Sequence, residues 1–469
     1  MEGLTEKLKS YGKNLLYGTA VSAALLLNPF KVNAEEESPF YKEAIVSAYS
    51  KKIEEAKTEK KEIEARIFYD FSNPHIISPE NVVSSSLFLS RGINLGLEKL
   101  ILPSEGNRKD DMTNIVTGAI YYFVSSLLNF NVSFADHEYG HAYFLSRYTV
   151  DHGFKNIKGK KIDFNPASAV LVSFLNYAEP GSWEVVPREE VKQDDFKYKI
   201  NPNKINAALM ASGFNMQMLT LEEMADDILD GKGRITDMPV YHVHMTYAPT
   251  YLVSRRNIEG GDLNQYIDFL DKNGVNTNEA TVRLLPLASI LSGSHLSLLK
   301  QIPDYKNKGQ VKVEPIKFDV EGFDVFLPEF NAYFTTKGPS LKIKERVKNG
   351  SLIFEASYEK PMPKNNHELG LGVRYSNPED PFTAEASFAY NTKSAFHANA
   401  RVGVKPVLMV EKMIRKKTKT PVLSDLELGF NAYFFRGDSL IRERLGRKPV
   451  EETEEDNGVQ AYLLLKYEF

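Results

Sequence analysis

The feature that most constrains this 469-residue chain is a change of hydrophobic period near residue 323. Before that point apolar residues recur every three to four positions; after it they alternate with polar or small ones. A period of 3.6 gathers side chains on one face of a helix and a period of two on one face of a strand, and neither pattern serves the other structure. The chain therefore reads as multi-domain α + β, a mostly helical region followed by an antiparallel region of about eight strands.

The helical pattern runs from 35 to 308. It predicts helices over 41–67, Asp111 to Tyr148, Asn203 to Leu229 and Asn278 to Gln301, with loops at Glu179-Pro180-Gly181 and Glu259-Gly260-Gly261. Ile115–Leu128 is too short to cross a bilayer and runs into Asn129 and Asn131, so it reads as part of a buried core helix. Residues 309–322 read as a linker. From 323 to 469 the alternation is sustained: Leu369, Leu371, Val373 and Tyr375 against Glu368, Gly370, Gly372 and Arg374, then Phe382 to Tyr390, Phe396 to Val404 and Leu426 to Phe434.

Residues 1–34 have the three zones of an export signal. Lys7, Lys9 and Lys13 precede an apolar run from Leu15 to Leu27, and Val32-Asn33-Ala34 is a small-x-small cleavage site. The chain has no cysteine, which excludes disulfides, thiolate metal ligands and a thiol nucleophile. A net charge of −4 gives no global case for nucleic-acid binding. There is no Gly-x-Ser-x-Gly elbow and no phosphate-cradling glycine loop.

The last strand carries Val459, Ala461, Leu463, Leu465, Tyr467 and Phe469 on one face. An exported chain that ends in an amphipathic strand with a terminal Phe resembles bacterial outer-membrane β-barrels, over roughly 323–469. The resemblance implies a closed barrel with apolar side chains toward lipid and polar ones toward the lumen, and a helical region in the periplasm of a Gram-negative-type bacterium.

The chemistry-bearing motif is His137-Glu138-Tyr139-Gly140-His141. On a helix His137 and His141 project from one face and converge on one ion, and Glu138 beside them takes a proton from water. This is the HExxH pattern and resembles the zincin metallopeptidases, which implies Zn2+ and hydrolysis of a protein or peptide substrate, here one of the cell envelope. Position 147, where the metzincin pattern requires His, holds Arg147. Glu222-x-x-Ala225-Asp226 resembles the glutamate ligand and supporting aspartate of gluzincins, so Glu222 is the expected third ligand. Glu223 with Asp227 is the alternative helical phase. Tyr241-His242-Val243-His244, read as a strand, puts His242 and His244 on one face as further metal or oxyanion candidates. The competing reading is a non-catalytic outer-membrane barrel, a pore or assembly factor, with a structural or vestigial metal site.

Overall fold

The computed structural model describes residues 62–71, 78–102, 111–147, 152–156, 161–163, 183–187, 202–254, 261–406 (except 364, 365, 378, 393 and 394), 408–409, 426–437, 440–445 and 455–468. The export signal, residues 41–61 of the expected first helix, the loop at 179–181 and the terminal Phe469 lie outside them. All of the described residues belong to one compact unit, Ala56–Phe469.

Strand β1 (Glu62–Asp70) is followed by α1 (Pro79–Ile101) and α2 (Asp111–Arg147), and a small three-stranded sheet consists of β2 (His152–Asn156), β3 (Lys161–Asp163) and β4 (Trp183–Pro187). Then come α3 (Pro202–Leu229), α4 (Met238–Ser254), α5 (Asp262–Lys272), α6 (Glu279–Leu284) and α7 (Gly293–Lys308). Local chemistry sets the ends. The Ser78 side chain accepts the Asn81 amide, Pro79 opens α1 with a pre-set φ, and Glu80 and Lys99 complement its dipole. Helix α7 stops on Gly309, whose φ of 66° suits a residue without Cβ.

Helix α3 is the hub. Met216, Leu221, Met224 and Ile228 pack against Val82, Val83 and Leu87 of α1 and Val240, Tyr241 and Met245 of α4. Ala207, Ala211 and Phe214 pack against Phe134 of α2 and Leu263, Tyr266 and Leu270 of α5. Burying each large side chain of this kind contributes about 1.5–3 kcal/mol. The expected linker is part of this body: Val311 and Val313 are buried.

The large sheet is antiparallel throughout. Its strands are β1 and β5 (Lys317–Val320), β6 (Phe323–Phe326), β7 (Glu329–Thr335), β8 (Gly338–Asn349), β9 (Leu352–Pro361), β10 (Glu368–Ser376), β11 (Phe382–Asn391), β12 (Phe396–Val404), β13 (Glu427–Arg436) and β14 (Glu455–Glu468). The order is β1-β14-β13-β12-β11-β10-β9-β8-β6-β5, with β7 also on β8, and α8 (Leu440–Arg444) lies between β13 and β14 in the chain. The eight strands expected by alternation are β7 to β14.

Three expectations are corrected here. The sheet has eleven strands and is not a closed barrel, because no ladder among the described residues joins β1 to the far edge. The free sides of β1 and β7 are instead fastened to helices. Asn81 of α1 donates to the Phe68 carbonyl and accepts its amide, at 2.8 and 2.6 Å, and Asn215 of α3 does the same for Phe334 of β7, at 2.8 Å each. Each amide side chain stands in for a neighbouring strand and satisfies edge groups that would otherwise be open. Second, residues 62–67 are strand, not the end of a helix: Ile63, Ile67 and Tyr69 alternate with Glu62, Glu64 and Arg66, a short period-two signal at the end of a highly charged segment. Third, Tyr241–His244 is helical, inside α4. Four residues of apolar–polar alternation are outweighed by the 17-residue apolar segment around them, which folds as one helix.

Outward side chains of the sheet are apolar and exposed, among them Leu371, Phe388, Val402, Phe430 and Val459. Inward ones are charged or polar and face α3. Lys342 and Lys344 bond Glu222 at 2.6 and 3.1 Å, Arg346 bonds Asp226, Asp230 and Glu355 at 2.9, 3.1 and 2.5 Å, and Arg374 bonds Asp230 at 2.8 Å. On the other flank Arg66 of β1 meets Glu223 at 3.5 Å and Arg91 of α1 meets Asp227 at 2.9 Å. Cavities of about 320 and 330 Å³ lie between these ion pairs in the concavity.

Candidate metal centre

Helix α2 delivers His137 and His141 one turn apart on the face turned to α3, as the sequence predicts. What makes their approach possible is glycine on both sides of the helix crossing. A Cβ on Gly140 would lie 2.3 Å from the Ser212 carbonyl oxygen, and one on Gly213 would lie 2.7 Å from the His137 ring and 2.8 Å from His141 Nε2. The α3 backbone therefore rests directly on the two imidazoles.

The third group comes from α5. Asp262 is the first residue of that helix, after Gly261, and its Oδ2 lies 2.9 Å from His137 Nε2 and 3.3 Å from His141 Nε2; the two ring nitrogens are 3.1 Å apart. Two nitrogens and a carboxylate oxygen thus form a nearly equilateral triangle. Ligands held at 2.0–2.1 Å by a tetrahedral zinc stand about 3.3 Å from one another, so the triangle fits one face of such a site. Among the described residues this is the one group of three His, Asp or Glu whose ligand atoms converge.

The surroundings tune the donors. His141 Nδ1 donates to the Leu209 carbonyl at 2.8 Å, which turns Nε2 toward the triangle. The His137 ring is wedged edge-on against Phe214, with centroids 4.6 Å apart, and lies beside Tyr247 at 5.4 Å. Burial alone would raise the Asp262 pKa, but the His141 charge and the hydrogen bonds from both rings outweigh it and hold the carboxyl far below its usual range. Burial likewise opposes charge on His141, yet Asp262, followed by Glu138, pushes it up to about 9. His137, the more deeply buried ring, is pushed down, by burial first and by the neighbouring imidazole. The Asp262 side chain is 25% exposed against 1% for His137, so the centre opens on the α5 side. Glu138 is buried.

The other sequence candidates fall elsewhere. Glu222 has one oxygen on Lys342 and Lys344 and the other accepting from the Tyr333 hydroxyl, so it belongs to the joint between α3 and the sheet. Asp226 and Glu223 belong to the same joint. His242 and His244, two apart on a helix, point roughly 200° from one another. His244 Nε2 bonds Asp136 at 3.1 Å, and Ser86 and Thr220 also donate to that carboxylate, which locks the residue before His137 in place. His242 accepts from Tyr122 at Nδ1 and pairs with His295 at 2.9 Å. Asp262 was missed by spacing because it stands 121 residues beyond His141. Its one local sign was an acid directly after Gly260-Gly261, opening an amphipathic helix.

Comparison with protein-family models, with curated proteins and with solved structures finds no match.

Proposed function

We propose that this protein is a zinc-dependent peptidase of the bacterial envelope, held in the outer membrane by the outward face of its sheet. The observation that carries the reading is the convergence of His137 Nε2, His141 Nε2 and Asp262 Oδ2 within 2.9–3.3 Å, with the buried Glu138 next in sequence to the first of them. Three ligand atoms with no Lys or Arg among them are stable close together only around a cation, or around shared protons. A zinc ion bound there supplies a Lewis acid for a scissile carbonyl and makes water acidic near neutral pH.

The chain's own groups do the rest. Glu138 accepts the proton of the attacking water on its carboxylate and returns it to the leaving amine nitrogen. The Leu209 carbonyl holds the His141 tautomer, and Asp136, fixed by His244, Thr220 and Ser86, anchors the turn that presents His137. Membrane placement is supported by the sheet's polarity, with apolar side chains outside and ion pairs inside. Strands β9 to β13 have nine or ten residues, the length that crosses a bilayer core when tilted.

The test is turnover of an unfolded protein such as casein by metal-loaded protein purified from membranes, wild type beside Glu138→Gln. The expected result is a loss of at least about 100-fold with bound metal unchanged. Equal turnover would remove Glu138 from the reaction.

A further inference from the structure

Helices α1 and α2 repeat the polarity of the sheet. Residues of α2 exposed to the outside fall at helical spacing, Met112, Ile115, Val116, Tyr122, Phe123 and Phe130, and Met112 to Phe130 contains no charged residue. Its inner face mixes polar and apolar side chains: Ser125 donates to Asn94 of α1 at 2.7 Å and Asn129 to the same oxygen at 3.0 Å, all three fully buried or nearly so, beside Tyr121, Val124 and Leu128. Helix α1 matches, with Phe88, Leu89 and Leu100 exposed outside and Ser86, Ser90 and Asn94 buried inside among Val83, Leu87 and Leu97. A helix pair in water places its apolar side chains inward; small and polar residues at the contact with apolar ones outside is the arrangement favoured in lipid.

The outward stripe of α2 is about 27 Å long at 1.5 Å per residue, against a hydrocarbon core of about 30 Å. The helix is long and apolar enough to cross a membrane, and only 28% of its most apolar window is buried. The stripe also adjoins the sheet. Edge strand β1, with Ile67 and Tyr69 exposed, is bonded to α1 through Ser84 and Asn81, and α1 packs on α2.

We propose that the exposed faces of α1 and α2 are covered by the lipid bilayer, so that the two helices continue the wall that the sheet leaves open. The inference rests on the membrane reading of the sheet and moves α1 and the first half of α2 from the periplasm into the membrane. His137, seven residues past Phe130, then stands about 10 Å beyond the end of the lipid-facing stretch. The bilayer is favoured over a second copy of this chain because the stripe matches the thickness of the hydrocarbon core and is joined through α1 to edge strand β1 of the sheet.

The absence of cysteine makes the test direct. Single variants Phe123→Cys, Phe88→Cys, Leu371→Cys and Asp271→Cys, each carrying a bimane label, are reconstituted in phosphatidylcholine vesicles with and without doxyl-labelled lipid. Quenching at 123, 88 and 371 by at least threefold more than at 271, an exposed acid of α5, is the expected result. Quenching at 371 without quenching at 123 and 88 overturns the inference, since protein or water then covers the helices, and leaves the sheet reading intact. No quenching at any position overturns both. If Phe123→Cys fails to fold, Ile115→Cys on the same stripe reads the same face.

Discussion

Buried carboxylates occur at two places around α3, at the candidate metal centre and at the joint with the sheet, and they differ in what they face. At the candidate metal centre the partners of Asp262 among the described residues are two imidazoles, of which His141 is pushed toward its protonated form. In the concavity of the sheet Glu222, Asp226 and Asp230 each meet a lysine or arginine. A buried charge must be balanced locally, so a carboxylate already paired with an ammonium has little reason to bind a metal, while one among imidazoles, which give up their protons to a metal, has a strong one. On the proposed reading the difference makes Asp262 the ligand and Glu222 a fastener, although only Glu222 sits in a motif the sequence advertises.

The largest effects break the comparison on the metal side. His137→Ala and Asp262→Ala should each weaken metal binding by more than about 100-fold, read by competition against a chelating dye, with the sheet's circular-dichroism signal retained. On the other side, Lys344→Met leaves Glu222 and Asp226 short of a buried partner. It should cost about 3–5 kcal/mol of stability in thermal or denaturant unfolding and leave metal stoichiometry unchanged. A metal loss in Lys344→Met larger than in Asp262→Ala would invert the assignment. Gly213→Ala sharpens the comparison at the helix crossing. A methyl 2.7–2.8 Å from both rings should cost about 1–3 kcal/mol and reduce metal affinity, whereas Gly231→Ala, in open space at a φ of 78°, should lower stability alone.

A slope with pH, not a change of metal binding, is expected at Glu329, a third kind of carboxylate. It accepts the Ser294 amide and hydroxyl, and burial pushes it up to about 7. Because its folded value lies above the unfolded one of about 4.5, the folded state holds the extra proton between them. Stability should therefore fall as pH rises from about 4.5 to 7, by at most ~1.4 kcal/mol per unit, and Glu329→Gln should flatten the slope of unfolding midpoint against pH.

Much of the architecture was legible because period is a local property. The ends of α2 and α3 and all eight strands from β7 to β14 follow from spacing and turn residues alone. So did His137, Glu138 and His141, which share one helical turn. The rest depends on contacts between distant segments. Nothing in the sequence says that Asn81 and Asn215 fasten the edges of the sheet and leave it unclosed. Asp262 carries no spacing relative to His141, and Glu222 was read as a ligand because the lysines that neutralise it lie about 120 residues away on β8. Short segments failed for another reason: Tyr241–His244 is too brief for period to separate a strand from a helix packed on all sides.

The most direct measurement is the metal content of purified protein by plasma mass spectrometry, wild type beside Asp262→Ala and Glu222→Gln. One zinc per chain in wild type and in Glu222→Gln, with less than about a tenth of that in Asp262→Ala, is the result predicted for a His2Asp centre. Retention of zinc by Asp262→Ala together with its loss from Glu222→Gln would contradict it.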